Sequence, residues 1–233
     1  MKKIYLLFII ATFQLNIFAQ VEHTQWNAIL QNYVSDEGNV NYNSIKENSE
    51  ALNDYLELLS ENHPSVDWNQ SEALAYWINA YNAFTVKLII DHYPVSSIKD
   101  IKNAWDLNFI KIGGKDYSLN HIEHEIIRKM NEPRIHFALV CAAVSCPKLY
   151  NQAFTASTLE ADLSKLTKEF LSDNSKNNLT EKRVEISKIF QWFEKDFKQN
   201  GGSLIDFLNS YSEVNISPKA KKSFNKYDWR LNE

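Results

Sequence analysis

Residues 70–92 constrain the fold most. Ala73, Leu74, Trp77, Ile78, Tyr81, Leu88 and Ile89 recur there every three or four positions. That interval puts apolar side chains on one broad face of an α-helix, which other elements must cover. Pro94 limits the helix, because its ring fixes φ and disfavours helical geometry in the preceding residue. Glu72, Tyr76, Asn79 and Asn82 form a second seam on the same helix. Buried carboxamides of this kind organise nearby backbone or serve a site directly.

Helical spacing also marks Trp26, Ile29, Leu30 and Tyr33, and then a stretch over 45–59 carrying Leu52, Tyr55, Leu56 and Leu59. Between them Gly38 opens a turn into a short extended piece. Gly113 and Gly114 separate two short extended segments and predict a two-residue hairpin, because glycine readily takes positive φ. Ser118 stands where an N-cap would open a helix over 119–130. Ser157 and Glu160 have capping-box spacing ahead of Leu163, Leu166 and Phe170. Residues 184–186 read as a short strand, and Ser187 as the cap of a helix carrying Ile189, Phe190, Phe193 and Phe197. Gly201 and Gly202 set off a last helix through Leu204, Phe207 and Leu208. No repeat, low-complexity segment or linker divides the chain. The prediction is one α+β domain, mostly helical with a small β-sheet. Residues 20–64 are expected as an N-terminal helical extension packed on a domain spanning 65–233.

Met1, Lys2 and Lys3 precede an apolar run, and a more mixed segment ends at Ala19. This is the order of a secretory signal peptide over residues 1–19, predicting a periplasmic or extracellular protein. The apolar run is shorter than the ~20 residues a membrane-spanning helix needs, and no second run is long enough. Losing Lys2 and Lys3 leaves 23 basic against 29 acidic residues, a formal charge of about −6. With no long basic block, nucleic acid is not an expected partner.

Residues 134–147 hold both cysteines of the chain, Cys141 and Cys146, with His136 near the start. The run predicts a strand that delivers a thiol to the turn at Ser145, Cys146 and Pro147. Two cysteines cannot build a disulfide-rich scaffold. In an oxidising compartment they can pair if the chain turns back, and a bridge would remove the free nucleophile.

Several separate blocks together resemble a known family: residues 76–84, 122–128, 133–141, 145–147, 188–193 and 227–229. Over roughly residues 65–233 the chain is similar to the bacterial and plant domain of unknown function numbered 547, DUF547. The resemblance implies a domain often exported in bacteria and joined to regulatory modules in some plant relatives. It also implies a distant likeness to papain-like or transglutaminase-like cysteine enzymes. In papain-like enzymes the catalytic cysteine precedes its histidine. Here the order is amide-rich helix, His124, His136, Cys146, so any shared chemistry must rest on spatial roles.

The same residues admit three uses. As an enzyme, the chain would use Cys146 as nucleophile, with His124 as the first choice of base and His136 as the second. Glu123 or Asn79 would orient an imidazole, and Asn82 would polarise a carbonyl. Such a site suits hydrolysis or acyl transfer on a peptide or other amide-containing substrate, with no cofactor. As a metal protein, it would gather His121, His124 and His136 with a cysteine or Glu125, since residues three apart on an α-helix point in similar directions. As a scaffold or ligand-binding domain, it would spend Asn79, Asn82, Glu123 and His124 on a packing network, with Cys141 a small core residue. Trp229 either covers the core or lines a groove.

Overall fold

A computed structural model describes residues 21–233, so the expected leader over 1–19 lies outside the described residues. Three helices come first: α1 (Thr24–Tyr33), α2 (Tyr42–Glu47) and α3 (Glu50–Glu61). The helical stretch expected over 45–59 is therefore two helices. Asn48 ends the first by donating its side-chain amide to the Ser44 carbonyl at 3.0 Å, a local bond that competes with helix continuation.

The long helix α4 (Gln70–His92) forms as its periodicity predicts and opens with a capping box between Asn69 and Glu72. Its burial goes further than one face. From Leu74 to Ile90 all but one of its residues are buried, Asn79, Asn82 and Thr85 among them. Such a helix is hydrophobic enough all round to serve as the axis of the core. The Tyr76 hydroxyl donates to the Leu59 carbonyl at 2.6 Å, tying α3 to α4. Trp26 of α1 stacks on Tyr55 of α3 with ring centroids 5.8 Å apart.

Strands β1 (Ile110–Ile112) and β2 (Lys115–Tyr117) make the expected hairpin, with Ile112 opposite Lys115. Both linking glycines have positive φ, +56° and +73°, as a two-residue hairpin turn demands. A second sheet has the order β3 (Asn178–Leu179), β4 (Arg183–Ile186), β5 (Lys221–Phe224). β3 and β4 are antiparallel, and β4 and β5 are parallel with Val184 opposite Lys222. The whole is a single mostly helical domain with a little β-structure. Among the described residues no helix is long and apolar enough to cross a membrane.

Several local expectations are corrected. Residues 134–147 are not a strand: Pro133–Phe137 is a 3-10 helix and the chain beyond it is irregular. Several of its backbone N–H groups find partners without a neighbouring strand. The Val140 N–H donates to Asn82 Oδ1 at 3.0 Å, the Val144 N–H to the Arg230 carbonyl at 2.9 Å, and the Ser145 N–H to the Asp228 carbonyl at 3.2 Å. The helix expected over 119–130 does begin at a Ser118 cap, whose Oγ accepts the His121 N–H at 3.1 Å. It then widens into a π-helical segment, His121–Ile127, and tightens into a 3-10 turn, Arg128–Met130.

Helix α5 (Leu159–Ser172) starts without the box expected from Ser157 and Glu160. The Glu160 carboxylate is instead taken by Arg134 at 2.6 Å, fastening the 3-10 helix of His136 to α5. Ser187 Oγ does accept the Ile189 N–H at 3.3 Å, but α6 (Ile189–Trp192) lasts one turn. Phe197 arrives on a separate 3-10 helix, Asp196–Gly201, and α7 (Leu204–Tyr211) follows behind a Ser203 and Asp206 capping box.

Residues 225–233 then run back across the domain. Besides holding Val144 and Ser145, this segment donates the Asp228 N–H to Ser145 Oγ at 2.8 Å and the Leu231 N–H to the Ser96 carbonyl at 3.0 Å. The Asn232 carbonyl accepts the Val40 N–H at 2.8 Å, and its side-chain amide donates to the Gly38 carbonyl at 2.9 Å.

Candidate active site

A cavity of about 240 Å³ opens beside the irregular segment. Tyr81 of α4, Glu123 and His124 of the π-helical segment, His136 and both cysteines line it. Trp105, Trp192, Phe193, Tyr227 and Trp229 supply an aromatic wall. Trp192, 46% exposed, stands at the rim and stacks on Trp229 with centroids 5.8 Å apart. Of the two roles open to Trp229, lining a groove is the one seen.

The cysteines meet inside this cleft as free thiols with their sulfurs 2.8 Å apart. Ala142 in the left-handed region (φ +52°) and a bond from the Cys146 N–H to the Ala143 carbonyl at 2.9 Å turn the chain back. Cys146 Sγ thereby accepts the Cys141 backbone N–H at 2.8 Å and the Cys141 S–H. The Tyr227 hydroxyl lies 3.2 Å from Cys141 Sγ and extends the chain of donors.

The two thiols are made unlike by this geometry. Burial alone pushes the Cys146 thiol up, but the hydrogen bonds from the Cys141 S–H and the Cys141 N–H outweigh it, helped by the nearby Tyr227 hydroxyl and the Lys176 charge. Its pKa is net lowered, because donors favour the charged form of an acid. The Cys141 thiol is held well above its ordinary range by its bond to Cys146 and by burial. Burial and the neighbouring sulfurs raise the Tyr227 hydroxyl as well. One sulfur is prepared to ionise and its neighbour to keep its proton.

A second network holds the imidazoles. His136, buried, stacks on Phe193 at 3.9 Å between centroids and bonds through Nε2 to Asp196 Oδ2 at 2.8 Å. Arg128 forks onto the same carboxylate at 2.6 and 2.8 Å, and its Nη1 donates to His124 Nδ1 at 2.8 Å. Burial pushes the Asp196 carboxyl up, but its bonds from His136 and Arg128 hold it well below the usual carboxylate range. Partner chemistry fixes the tautomers. A carboxylate only accepts, so His136 donates from Nε2, and in its neutral form the lone pair sits on Nδ1. A guanidinium only donates, so in neutral His124 the proton sits on Nε2.

Cys146, His124, His136 and Glu123 all share the cleft. Among the described residues neither imidazole is hydrogen-bonded to a sulfur. Glu123 orients no imidazole; its Oε2 accepts the Tyr81 hydroxyl at 3.0 Å. Asn79 and Asn82 do not line the cleft. Each clamps backbone instead. Asn79 donates to the Phe154 carbonyl at 2.8 Å and accepts the Phe154 N–H at 3.0 Å. Asn82 donates to the Ala138 carbonyl at 2.8 Å and accepts the Val140 N–H, immediately before Cys141.

His121 is exposed, edge-on to the Tyr117 ring, and lies outside the cleft. The wider π-helical turn, bonded i to i+5, removes the alignment expected of His121 and His124 three residues apart. No three His, Cys, Asp or Glu converge as a metal site among the described residues.

Sequence reasoning missed Asp196, Arg128, Tyr81 and Trp105. For Asp196 the available signal was slight: it is one of two acids between Phe193 and Phe197, both of which pack against His136.

Residues 65–171 match the family model described as Protein of unknown function, DUF547. That stretch, a little under half of the chain, is similar to the DUF547 family. It carries α4, the hairpin, the π-helical segment, His136, both cysteines and nearly all of α5. Asp196, Trp192, Tyr227 and Trp229 come from beyond the matched residues, so the cleft is completed by sequence outside the DUF547 match. No curated protein and no solved structure matches the chain.

Proposed function

We propose that this protein is an exported thiol-dependent acyl-transfer enzyme, hydrolysing or transferring the acyl group of an amide or ester, with Cys146 as nucleophile. The observation that carries the reading is the convergence of the Cys141 N–H and S–H on Cys146 Sγ, which favours the thiolate in a cleft large enough for a small acyl group. His136, whose Nε2 is held by Asp196 so that the neutral ring offers Nδ1, suits the base better than His124, whose Nδ1 is occupied by Arg128 and whose neutral ring has only a donor at Nε2.

In this scheme the Cys146 proton passes to His136 and the thiolate attacks the carbonyl carbon. The S–C bond forms, the C–N or C–O bond breaks, and the imidazolium returns the proton to the leaving group. Water or an acceptor amine then resolves the thioester. Cys, His and Asp in these roles make the papain-like or transglutaminase-like comparison one of chemistry. Location outside the cytoplasm is part of the proposal and rests on residues 1–19.

The test is a p-nitrophenyl ester burst on reduced protein, followed by mapping of the adduct. A stoichiometric burst with the acyl group on Cys146, lost in Cys146→Ala and slowed in His136→Ala, is expected. Acylation elsewhere, or a burst indifferent to Cys146→Ala, refutes the assignment. A folded wild type without any burst favours the scaffold reading.

A further inference from the structure

We infer that Cys141 and Cys146 form a reversible dithiol–disulfide site that exchanges with small-molecule disulfides. The sulfurs already touch at 2.8 Å, so a bond of about 2.05 Å needs less than an ångström of approach. Residues 141–146 lie in neither helix nor strand, and Ala142 already turns the chain back on itself. Both sulfurs line the cleft, Cys146 buried and Cys141 half-buried beside the Tyr227 hydroxyl.

The exchange balances without any other reagent. Cys146 thiolate attacks one sulfur of an oxidised glutathione, forming a mixed disulfide and expelling one glutathione thiolate. Cys141 then gives its proton to that thiolate and attacks Cys146 Sγ, expelling the second glutathione thiolate, which takes a proton from water. The protein dithiol is oxidised and the small disulfide is reduced to two thiols. Tyr227 stabilises charge on Cys141 Sγ as its proton leaves. The unlike acidities of the two thiols suit the attacking and resolving roles.

The bond itself needs no enzyme. Its consequence rests on the acyl-transfer reading: an oxidised pair holds no nucleophile, so the cleft is switched off until a reductant returns it.

The experiment equilibrates the native protein with mixtures of reduced and oxidised glutathione, quenches with acid, alkylates, and maps Cys141 and Cys146 by mass spectrometry. The expected result is loss of two hydrogens with no glutathione retained, loss of alkylation at both positions, unchanged circular dichroism, and full return with dithiothreitol. In Cys141→Ser the same treatment leaves one glutathione on Cys146, because nothing resolves it. Stable glutathionylation of the wild type, or two thiols that stay alkylatable throughout, overturns the inference. The ester burst separates the two readings. A disulfide that forms in a protein whose reduced form shows no burst leaves the dithiol site standing and removes the enzyme. A burst on Cys146 with no disulfide does the reverse.

Discussion

Replacing Asn82 by alanine should both weaken the fold and disturb the thiol. The Asn82 side chain is 1% exposed and makes two bonds, giving a proton to the Ala138 carbonyl and taking one from the Val140 N–H. Alanine removes both and leaves a buried carbonyl and a buried N–H without partners. Each orphaned group costs about 1–3 kcal/mol. The space left by the carboxamide adds to that, so a loss of about 3–5 kcal/mol is expected. A single domain holds only about 5–15 kcal/mol in all. At about 2–4 °C per kcal/mol the melting temperature should fall by roughly 10 °C.

Asn82 also fixes the backbone on the approach to Cys141, whose N–H and S–H both reach Cys146. The pH at which Cys146 becomes reactive to iodoacetamide should therefore move upward, toward the value of an ordinary thiol. Asn79→Ala is the matched control, since it breaks an equivalent clamp on Phe154, outside the cleft. Both variants should lose similar stability in urea, and only Asn82→Ala should shift the labelling profile. If Asn82→Ala stays within about 1 kcal/mol of wild type, the buried clamp is not what holds this backbone. If its labelling profile matches that of Asn79→Ala, the clamp does not set the thiol.

Three further changes bear on the same framework. Burial lowers the His23 imidazole from 6.5 to about 4, so the unfolded chain takes its proton first on acidification. His23 therefore contributes fully above about pH 6.5 and loses that contribution as the pH falls toward 4, by about 3 kcal/mol at most. Urea titrations of wild type and His23→Gln should converge on acidification across this window, and a constant gap would refute the account. Asp196→Asn keeps an acceptor for His136 but takes the charge from Arg128, so the ester burst should slow on the order of a hundredfold with the fold retained; an unchanged burst rate would remove Asp196 from the mechanism. In Gly38→Ala a Cβ would sit 2.4 Å from the Lys148 Cβ and 2.9 Å from the Leu149 nitrogen, at a φ of +87°. Strain and collision just past Cys146 should cost about 2 kcal/mol or more, read as a lower urea midpoint.

What the sequence makes legible is whatever its own neighbours determine. The α4 periodicity, the Gly113 and Gly114 turn, the Ser118 cap and the strand over 184–186 all depend on residues a few positions apart. Residues 134–147 fail that condition. Their apolar character reads as a strand, but the partners of the Val140, Val144 and Ser145 N–H groups are Asn82 and residues 228–230, far away in the chain. The π-helical widening at 121–127 leaves no mark in an apolar pattern that suits an ordinary helix. Cys146, His124, His136 and Glu123 could be chosen as members of one cleft. Which imidazole carries a lone pair could not, because it depends on Asp196, which lies 60 residues from His136 in sequence.

Residues 225–233 place the cleft in time as well as in space. A ribosome builds the chain from residue 1 onward, and domains begin to organise as they emerge. Tyr227, Trp229 and the carbonyls that hold Val144 and Ser145 are made after every other residue of the cleft. During synthesis α4 can gather its core while the loop of Cys141 and Cys146 still lacks its anchor. The nascent polypeptide thus carries its two thiols before their surroundings exist, and the loop between them is anchored only once the returning segment has docked.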